Sequence, residues 1–237
     1  MDGVIDTLGP TRDTPVDGPL LPPALGRPAV GVAAACAALL AALAVVVAGT
    51  STATPVDAWA QRIVATHHAL HGQWPSLAVV AGEPVTVVAV ACVLAAWCAR
   101  RRRWRSAVLA VLAPGLTGLL ETGLKPLVGR TIATGALSFP SGHTAGVTAL
   151  GLSVTLVIAG GAQQRRELWV LVGTFLTGAG AVAVAVGLVA EHAHYPTDTI
   201  GGFCLAAATT VGCALAVDRV GRAAPHARRW RSPRPSR

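Results

Sequence analysis

The stretch FPSGHTAG (residues 139–146) lies between two long apolar segments, and the rest of the chain is best interpreted outward from it. Its proline, serine and glycine favour a turn, and the apolar residues that follow favour a helix. A helix start with free backbone N–H groups and a small hydroxyl is a natural place for an anion to bind. His143 stands at the mouth of this helix, where an imidazole gives or takes a proton. The pattern indicates an anion site at a helix start.

The composition indicates a membrane protein. Of 237 residues, 53% are hydrophobic and only 13% are charged, whereas a soluble domain carries about 25% charged residues. Several nearly uncharged runs approach or exceed the ~18–20 residues that a helix needs to cross a bilayer. We therefore predict an all-α, polytopic membrane protein with six transmembrane helices in one bundle. The predicted spans are 29–49, 76–99, 106–124, 143–161, 168–190 and 197–217.

The spans define one membrane domain, residues 28–217, between a flexible leader over 1–27 and a basic tail over 218–237. The leader is rich in proline and lacks the basic start of a signal peptide. Residues 56–70 predict an amphipathic surface helix between the first two spans. Three histidines lie on this helix or just after it: His67, His68 and His71. They either bind a metal or lie on a solvated face.

The basic residues predict the topology. Sixteen of the 19 lie in the leader, in the segments 100–105 and 165–166, and in the tail. By the positive-inside rule, both termini are expected in the cytoplasm, here of a bacterial-type plasma membrane. Six spans then place the segments 125–143 and 194–198 together on the extracytoplasmic face. The net charge of +8 is thus explained by topology and attraction to anionic lipid, and nucleic acid is not an expected partner.

The polar residues on that face suggest phosphate chemistry. Asp198 can accept a hydrogen bond from one imidazole nitrogen of His194 and leave the other nitrogen as a nucleophile or base. His143 is a candidate general acid. Lys125, the only lysine of the chain, and Arg130 can neutralise a phosphate. The alternative for Lys125 is a helix-end anchor, paired with a glutamate one turn earlier.

At this point the sequence resembles a known family. FPSGH at 139–143 and HYPTD at 194–198, followed by two glycines, resemble the second and third signature motifs of the type-2 phosphatidic acid phosphatase superfamily of lipid phosphatases. The segment from Leu124-Lys125 to Gly129-Arg130 resembles the start of its first motif. The resemblance covers about residues 105–215.

The resemblance implies a mechanism. His194 would attack phosphorus and form a phosphohistidine, Asp198 would orient His194, and His143 would protonate the leaving lipid oxygen. The phosphate oxygens would be held by three groups that the resemblance identifies: Lys125, Ser141 and the backbone N–H of Gly142. No metal or other cofactor is implied.

Two arginines of the family pattern are absent. The first motif ends in Arg-Pro, where this chain has Ile132-Ala133, and the third carries an arginine six residues before its histidine, where this chain has Leu188. Both arginines bind phosphate in the family. Arg130 is predicted to supply part of the lost charge.

The leading hypothesis is a membrane phosphatase for a phosphate or diphosphate monoester of a lipid. A polyprenyl (di)phosphate is favoured over phosphatidic acid and phosphatidylglycerophosphate. The alternative is a phosphatase-like membrane protein that binds or translocates lipid phosphates without hydrolysis. A third interpretation is a metal site formed by His143, His192, His194 and Asp198. The expected partners are the lipid phosphate and the bilayer, and the sequence leaves open whether the chain forms a homo-oligomer.

Overall fold

The structure, a computed structural model, describes residues 18–66, 73–162 and 164–229, with side chains as far as residue 222. The predicted all-α fold is confirmed for this part of the chain. A short 3-10 helix, Pro23–Leu25, precedes the first of eight α-helices. These are α1 (Gly26–Val47), α2 (Pro55–Thr66), α3 (Trp74–Val80), α4 (Pro84–Arg100), α5 (Trp104–Val128), α6 (Gly142–Gly161), α7 (Arg166–Ala190) and α8 (Pro196–Arg229).

Five of the helices, α1, α5, α6, α7 and α8, are each long and apolar enough to cross a membrane. The sixth predicted span, over 76–99, differs from a continuous helix because α3 and α4 meet at an angle of 52°. The break has a local cause: Pro84 has no N–H with which to continue the helix, and Glu83 takes up an extended conformation as the N-cap of α4. Counted together as one broken span, α3 and α4 bring the candidate spans among the described residues from five to six.

Helix α6 lies at the centre of the bundle and packs against α4, α5, α7 and α8. Its contact with α7 is close because glycine faces threonine twice. A Cβ on Gly151 of α6 would lie 2.7 Å from Thr177 of α7, and a Cβ on Gly173 of α7 would lie 2.5 Å from Thr155 of α6. Small residues let two helix backbones approach closely in a membrane. The helix that carries the FPSGH stretch is thereby fixed between its neighbours.

The connections at one end of the bundle are tied together by backbone hydrogen bonds. The N–H of Gly49, after α1, donates to Val128 O at 2.8 Å, and the N–H of Thr131, after α5, donates to Thr50 O at 3.0 Å. Residues 130–138 form a small hairpin, in which Ile132 N donates to Ala136 O. Helix α2 packs on α7 and α8 at this end.

Ordered structure continues beyond both ends of the predicted membrane domain, 28–217. Leu20 and Leu21 are buried, and their N–H groups donate to the Asp218 carboxylate at 2.9 and 3.3 Å. The last part of the predicted flexible leader, 1–27, is therefore packed against α8. Helix α8 itself continues through Arg229, past the predicted end of the domain at 217. Residues 1–17, the three histidines 67, 68 and 71, and residues 230–237 lie outside the described part of the chain.

Candidate active site

The start of α6 has the geometry expected of an anion cradle. Ser141 is the N-cap, and its hydroxyl accepts a hydrogen bond from Thr144 N at 3.5 Å. Gly142 and His143 follow as the first two residues of the helix, so their N–H groups have no partner within the helix. These two N–H groups and the positive end of the α6 dipole favour a negatively charged ligand.

Helix α8 reaches this helix start because two glycines give it room. A Cβ on Gly201 would lie 2.6 Å from the Phe139 ring, and one on Gly202 would overlap the carbonyl oxygen of Ser141. The N–H of Ser141 in turn donates to Asp198 O at 2.9 Å. The second and third sequence motifs, more than fifty residues apart in the chain, therefore meet in one place.

His194 lies in the turn between α7 and α8, with Asp198 behind it. His194 Nδ1 is 3.5 Å from Asp198 Oδ2, and it is buried and makes no hydrogen bond in this geometry. Asp198 is fully buried and has other donors. Its Oδ2 accepts from Tyr195 N at 3.0 Å, and its Oδ1 accepts from Arg130 at 2.6 Å. The arrangement directs the Nδ1 edge of the imidazole towards a carboxylate.

His143 lies at the centre of a cluster of ionisable groups. The charges of His194, Lys125, Glu83 and Glu121 all act on its imidazole. Lys125 and His194 thus lie within electrostatic range of His143. So do Glu83, from the break between α3 and α4, and Glu121, from the last turns of α5.

Glu121 changes the charge of the cradle. Lys125 Nζ lies 2.5 Å from Glu121 Oε1 within α5, the pairing that the sequence gives as the alternative for Lys125. The same carboxylate packs against the helix start, because a Cβ on Gly142 would lie 2.8 Å from Glu121 Oε1. A carboxylate therefore lies beside the N–H groups that would receive a phosphate.

Arg130 has a different position from the one its predicted role requires. Its side chain is 0% exposed, and one terminal nitrogen donates to both Thr197 Oγ1 and Asp198 Oδ1 at 2.6 Å. The other donates to Asp57 Oδ2 at 2.7 Å. The Tyr195 ring covers the guanidinium, with 4.2 Å from Cζ to the ring centroid. Both terminal nitrogens are engaged with protein groups, so the phosphate-binding role predicted for Arg130 remains without structural support.

The positions of the missing family arginines are occupied as follows. Leu188 is 2% exposed and packs with Val79 and Val184 in an apolar cluster of α3 and α7. Ile132 and Ala133 lie in the hairpin after α5, where Ala133 is exposed. None of the three supplies a charge to the cradle.

Asp57 is the residue that sequence analysis missed. It is fully buried at the start of α2, where Thr54 and Asp57 cap each other: Asp57 N donates to Thr54 Oγ1 at 3.2 Å and Thr54 N donates to Asp57 Oδ2 at 3.0 Å. The spacing Thr-x-x-Asp is a visible capping signal, but it gives no sign of the contact with Arg130. Burial by itself would raise the pKa of Asp57, and the hydrogen bonds from Arg130, Thr197 and Thr54 outweigh it and hold the pKa below its ordinary value.

The charges of the site sum to a negative value. Two side chains are cationic, Lys125 and Arg130, and four are carboxylates: Asp57, Glu83, Glu121 and Asp198. With neutral histidines, these named groups carry a formal charge of −2. Among the described residues, no three His, Cys, Asp or Glu side chains are grouped as metal ligands, so the third interpretation, with His143, His192, His194 and Asp198, gains no support.

One comparison with known proteins identifies a family. A family model described as the PAP2 superfamily matches residues 122–222. The match includes Lys125 and both of the motifs that meet at the start of α6. No curated protein and no solved structure matches the chain significantly.

Proposed function

Because residues 122–222 belong to the PAP2 superfamily, whose members are phosphatases, we propose that this chain is an integral-membrane phosphatase for a lipid phosphate or diphosphate monoester. The observation that carries the proposal is the pair His194 and Asp198, with 3.5 Å between Nδ1 and Oδ2, within electrostatic range of His143 at the start of α6. A nucleophile with an orienting acid behind it and an acid–base group in front is the minimal arrangement for covalent phosphoryl transfer.

The proposed reaction has two steps. In the first, His194 Nε2 attacks phosphorus, an N–P bond forms, and the bond from phosphorus to the lipid oxygen breaks. His143 gives a proton to that oxygen, which leaves as an alcohol or, from a diphosphate, as a lipid monophosphate. In the second, His143 takes a proton from water, the water oxygen attacks phosphorus, and the N–P bond breaks. The products are inorganic phosphate and the original histidine.

The phosphate would be held at the start of α6. Two observations support this role for Lys125 and the N–H group of Gly142: the Lys125 side chain is 27% exposed, and the Gly142 N–H has no partner within the helix. Ser141 is fully buried, and we assign its hydroxyl to fixing the helix start through Thr144 as well as to the phosphate. Preorganised donors of this kind stabilise the charge that develops during transfer.

An apolar groove beside the site suits the lipid tail. It has a volume of about 470 Å³ and runs between α4, α6 and α7, with Ala81, Val90 and Gly151 among its lining residues. Ala81 is next to Gly82, whose backbone packs against His143. A chain in this groove would bring its headgroup to the cradle. A polyprenyl chain is our favoured tail, and an acyl tail would fit the same surface.

We further propose that the site faces the outside of the cell. The arginine-rich segments at the end of α4, at the start of α7 and along the end of α8 all belong to helix ends opposite the site, and such segments favour the cytoplasm. Both termini then lie in the cytoplasm. A cysteine-accessibility scan of engineered positions on the 130–138 hairpin in intact cells would test this orientation.

The experiment that tests the function is phosphate release by purified protein in detergent micelles with a chelator present. The substrates are polyprenyl phosphate, polyprenyl diphosphate, phosphatidic acid and phosphatidylglycerophosphate. His194→Asn should reduce release by at least about 10³-fold, as the loss of a nucleophile does, whereas the matched change His192→Asn, at an exposed neighbour, should leave it nearly unchanged. Full activity of His194→Asn would show that the proposed nucleophile is wrong.

A second candidate function is supported by the charge of the site. Lys125 is paired with Glu121, Arg130 is paired with two aspartates, and the position of one family arginine is the buried Leu188. A protein that binds or translocates lipid phosphates without hydrolysis would fit this weakened cradle. It would be preferred if all four lipids bound and none released phosphate.

A further inference from the structure

A buried chain of charged groups links α2 to the base of the candidate active site. Asp57, Arg130 and Asp198 are each 0% exposed, and the guanidinium lies between the two carboxylates at 2.7 and 2.6 Å. Unpaired charges are costly inside a protein, so each member of such a chain depends on the others. Asp57 lies outside the segment that matches the PAP2 superfamily, which begins at residue 122.

Asp57 also holds the start of α8 directly. Its Oδ1 accepts a hydrogen bond from Thr197 N at 2.8 Å, and its Oδ2 accepts one from the Thr197 hydroxyl at 3.1 Å. Thr197 N belongs to the first turn of α8, where N–H groups have no partner within the helix. The same carboxylate therefore caps its own helix α2, through Thr54, and the helix α8. A negative charge there is also favoured by the dipole of α8.

These contacts act on the two residues of the proposed nucleophilic pair. Thr197 immediately precedes Asp198, and Arg130 donates to Asp198 Oδ1, which leaves Oδ2 on the side of His194. The orientation of the Asp198 carboxylate is thus fixed from one side by Arg130, whose own place is fixed by Asp57. The Tyr195 hydroxyl completes the connection by donating to Ser51 O at 3.1 Å.

We propose that Asp57 is a positioning residue, which acts through Arg130 and Thr197 to hold Asp198 against His194 Nδ1. The inference rests on the proposed function for the reaction that it serves, but the geometry it describes is independent of activity. Helix α2, outside the family segment, would then be a working part of the site rather than a surface element.

Loss of the Asp57 charge has a specific expected effect. In Asp57→Asn, Arg130 keeps a single carboxylate partner, and its guanidinium is free to draw Asp198 away from His194. The imidazole then loses the group that fixes its tautomer. A displacement of about 1 Å at a reacting group can cost about 10²-fold in rate, so we expect kcat to fall by about 10- to 100-fold with KM changed by less than about 3-fold.

The test combines kinetics with a spectroscopic measurement on the full-length protein in detergent micelles. Nitrogen-15 NMR of labelled histidines distinguishes the two neutral tautomers, and His194→Asn assigns the His194 signals. The wild type should show the tautomer with its proton on Nδ1, and Asp57→Asn should show a mixture. The matched control is Asp218→Asn. It removes another buried carboxylate, which accepts hydrogen bonds from the N–H groups of Leu20 and Leu21 and lies several turns further along α8 than Asp198.

Thr197→Val is the second variant, because it keeps both charges and removes only the hydroxyl between them. It should give a smaller change of the same kind, and it decides the question if Asp57→Asn does not fold. A wild-type tautomer and wild-type kcat in the folded variants would overturn the proposal, as would an equal tautomer change in Asp218→Asn. If the wild type releases no phosphate from any lipid, the proposed function fails, and the tautomer measurement still tests the positioning role.

Discussion

Glu121 offers a direct test of how the site handles negative charge. Its carboxylate lies beside the start of α6, 2.8 Å from where a Cβ on Gly142 would be, and it pairs with Lys125 at 2.5 Å. A phosphate held by the Gly142 N–H would therefore lie close to the negative charge of Glu121. It would also have to share Lys125 with that carboxylate. We expect Glu121→Gln to tighten the binding of phosphate-like anions.

The size of the effect follows from the geometry. Two unit charges about 4 Å apart interact by roughly 4 kcal/mol at an effective dielectric constant of about 20. The Glu121 side chain is 11% exposed and the Lys125 side chain 27% exposed, so water reduces this repulsion to a fraction of that value. An improvement of about 1.4 to 2.8 kcal/mol corresponds to 10- to 100-fold tighter binding. The glutamine keeps the shape of the side chain, so packing against Gly142 is preserved.

The assay is competition by orthovanadate, a phosphate analogue, measured as an inhibition constant for phosphate release and, separately, as a dissociation constant by calorimetry. The calorimetric arm does not depend on catalysis, so it applies to both candidate functions. Glu191→Gln is the control, because Glu191 is an exposed acid after α7, near His192 in sequence, and its removal lowers the overall negative charge without touching the cradle.

Three results would refute this reasoning. Unchanged vanadate binding in Glu121→Gln would mean that the anion does not bind at the start of α6. Weaker binding would mean that Glu121 is needed to hold Lys125 in place, and that its charge helps rather than hinders the site. An equal gain in Glu191→Gln would show that the effect is one of overall charge.

Three further changes test the packing, the groove and the buried charge chain. Gly202→Ala should overlap the Ser141 carbonyl and cost about 1–3 kcal/mol, seen as a lower midpoint of thermal unfolding, whereas Gly178→Ala, with open space around it, should leave the midpoint unchanged. Val90→Trp should fill the groove beside α4 and raise KM about 10-fold for a long-chain lipid phosphate but not for a short-chain, water-soluble ester; equal effects on both would place the tail elsewhere. Because the folded-state pKa of Asp57 lies below its ordinary value of 3.8, the stability that it contributes is complete above that pH and is lost as the pH falls below it. The difference in unfolding midpoint between the wild type and Asp57→Asn should therefore be constant near neutral pH and shrink below about pH 4, and a difference independent of pH would contradict the assignment.

The features that sequence analysis predicted well have strong local signals. The start of α6 was predicted at 143 and lies at Gly142, because Pro-Ser-Gly followed by an apolar run specifies both the turn and the helix. The meeting of this turn with His194 and Asp198 follows from counting spans. Long apolar helices are easily recognised, since the bilayer sets their length and the cost of a charge inside them.

The features that it missed depend on contacts between distant parts of the chain. Asp57 and Arg130 are 73 residues apart, and the capping signal at Thr54 already gives Asp57 a local explanation. Asp218 and Leu20 are 198 residues apart, and nothing in a proline-rich leader predicts a buried pair of leucines. The break between α3 and α4 had a signal in Pro84, but the apolar run on both sides of it favoured one continuous span.

The charges of the candidate site differ from those that the PAP2 motifs imply, although the three residues proposed to make and break bonds are present. His143, His194 and Asp198 are together, whereas the two cations that remain, Lys125 and Arg130, are each paired with carboxylates of the protein itself. Arg130 joins α2 to α8, because its two terminal nitrogens donate to Asp57, Thr197 and Asp198. Lys125 is different, since its partner Glu121 lies where a phosphate would bind and a stronger anion can displace it. A substrate would then enter by exchanging one anion for another at the start of α6, and the affinity of the site for phosphate would depend on Glu121 more than on the missing arginines.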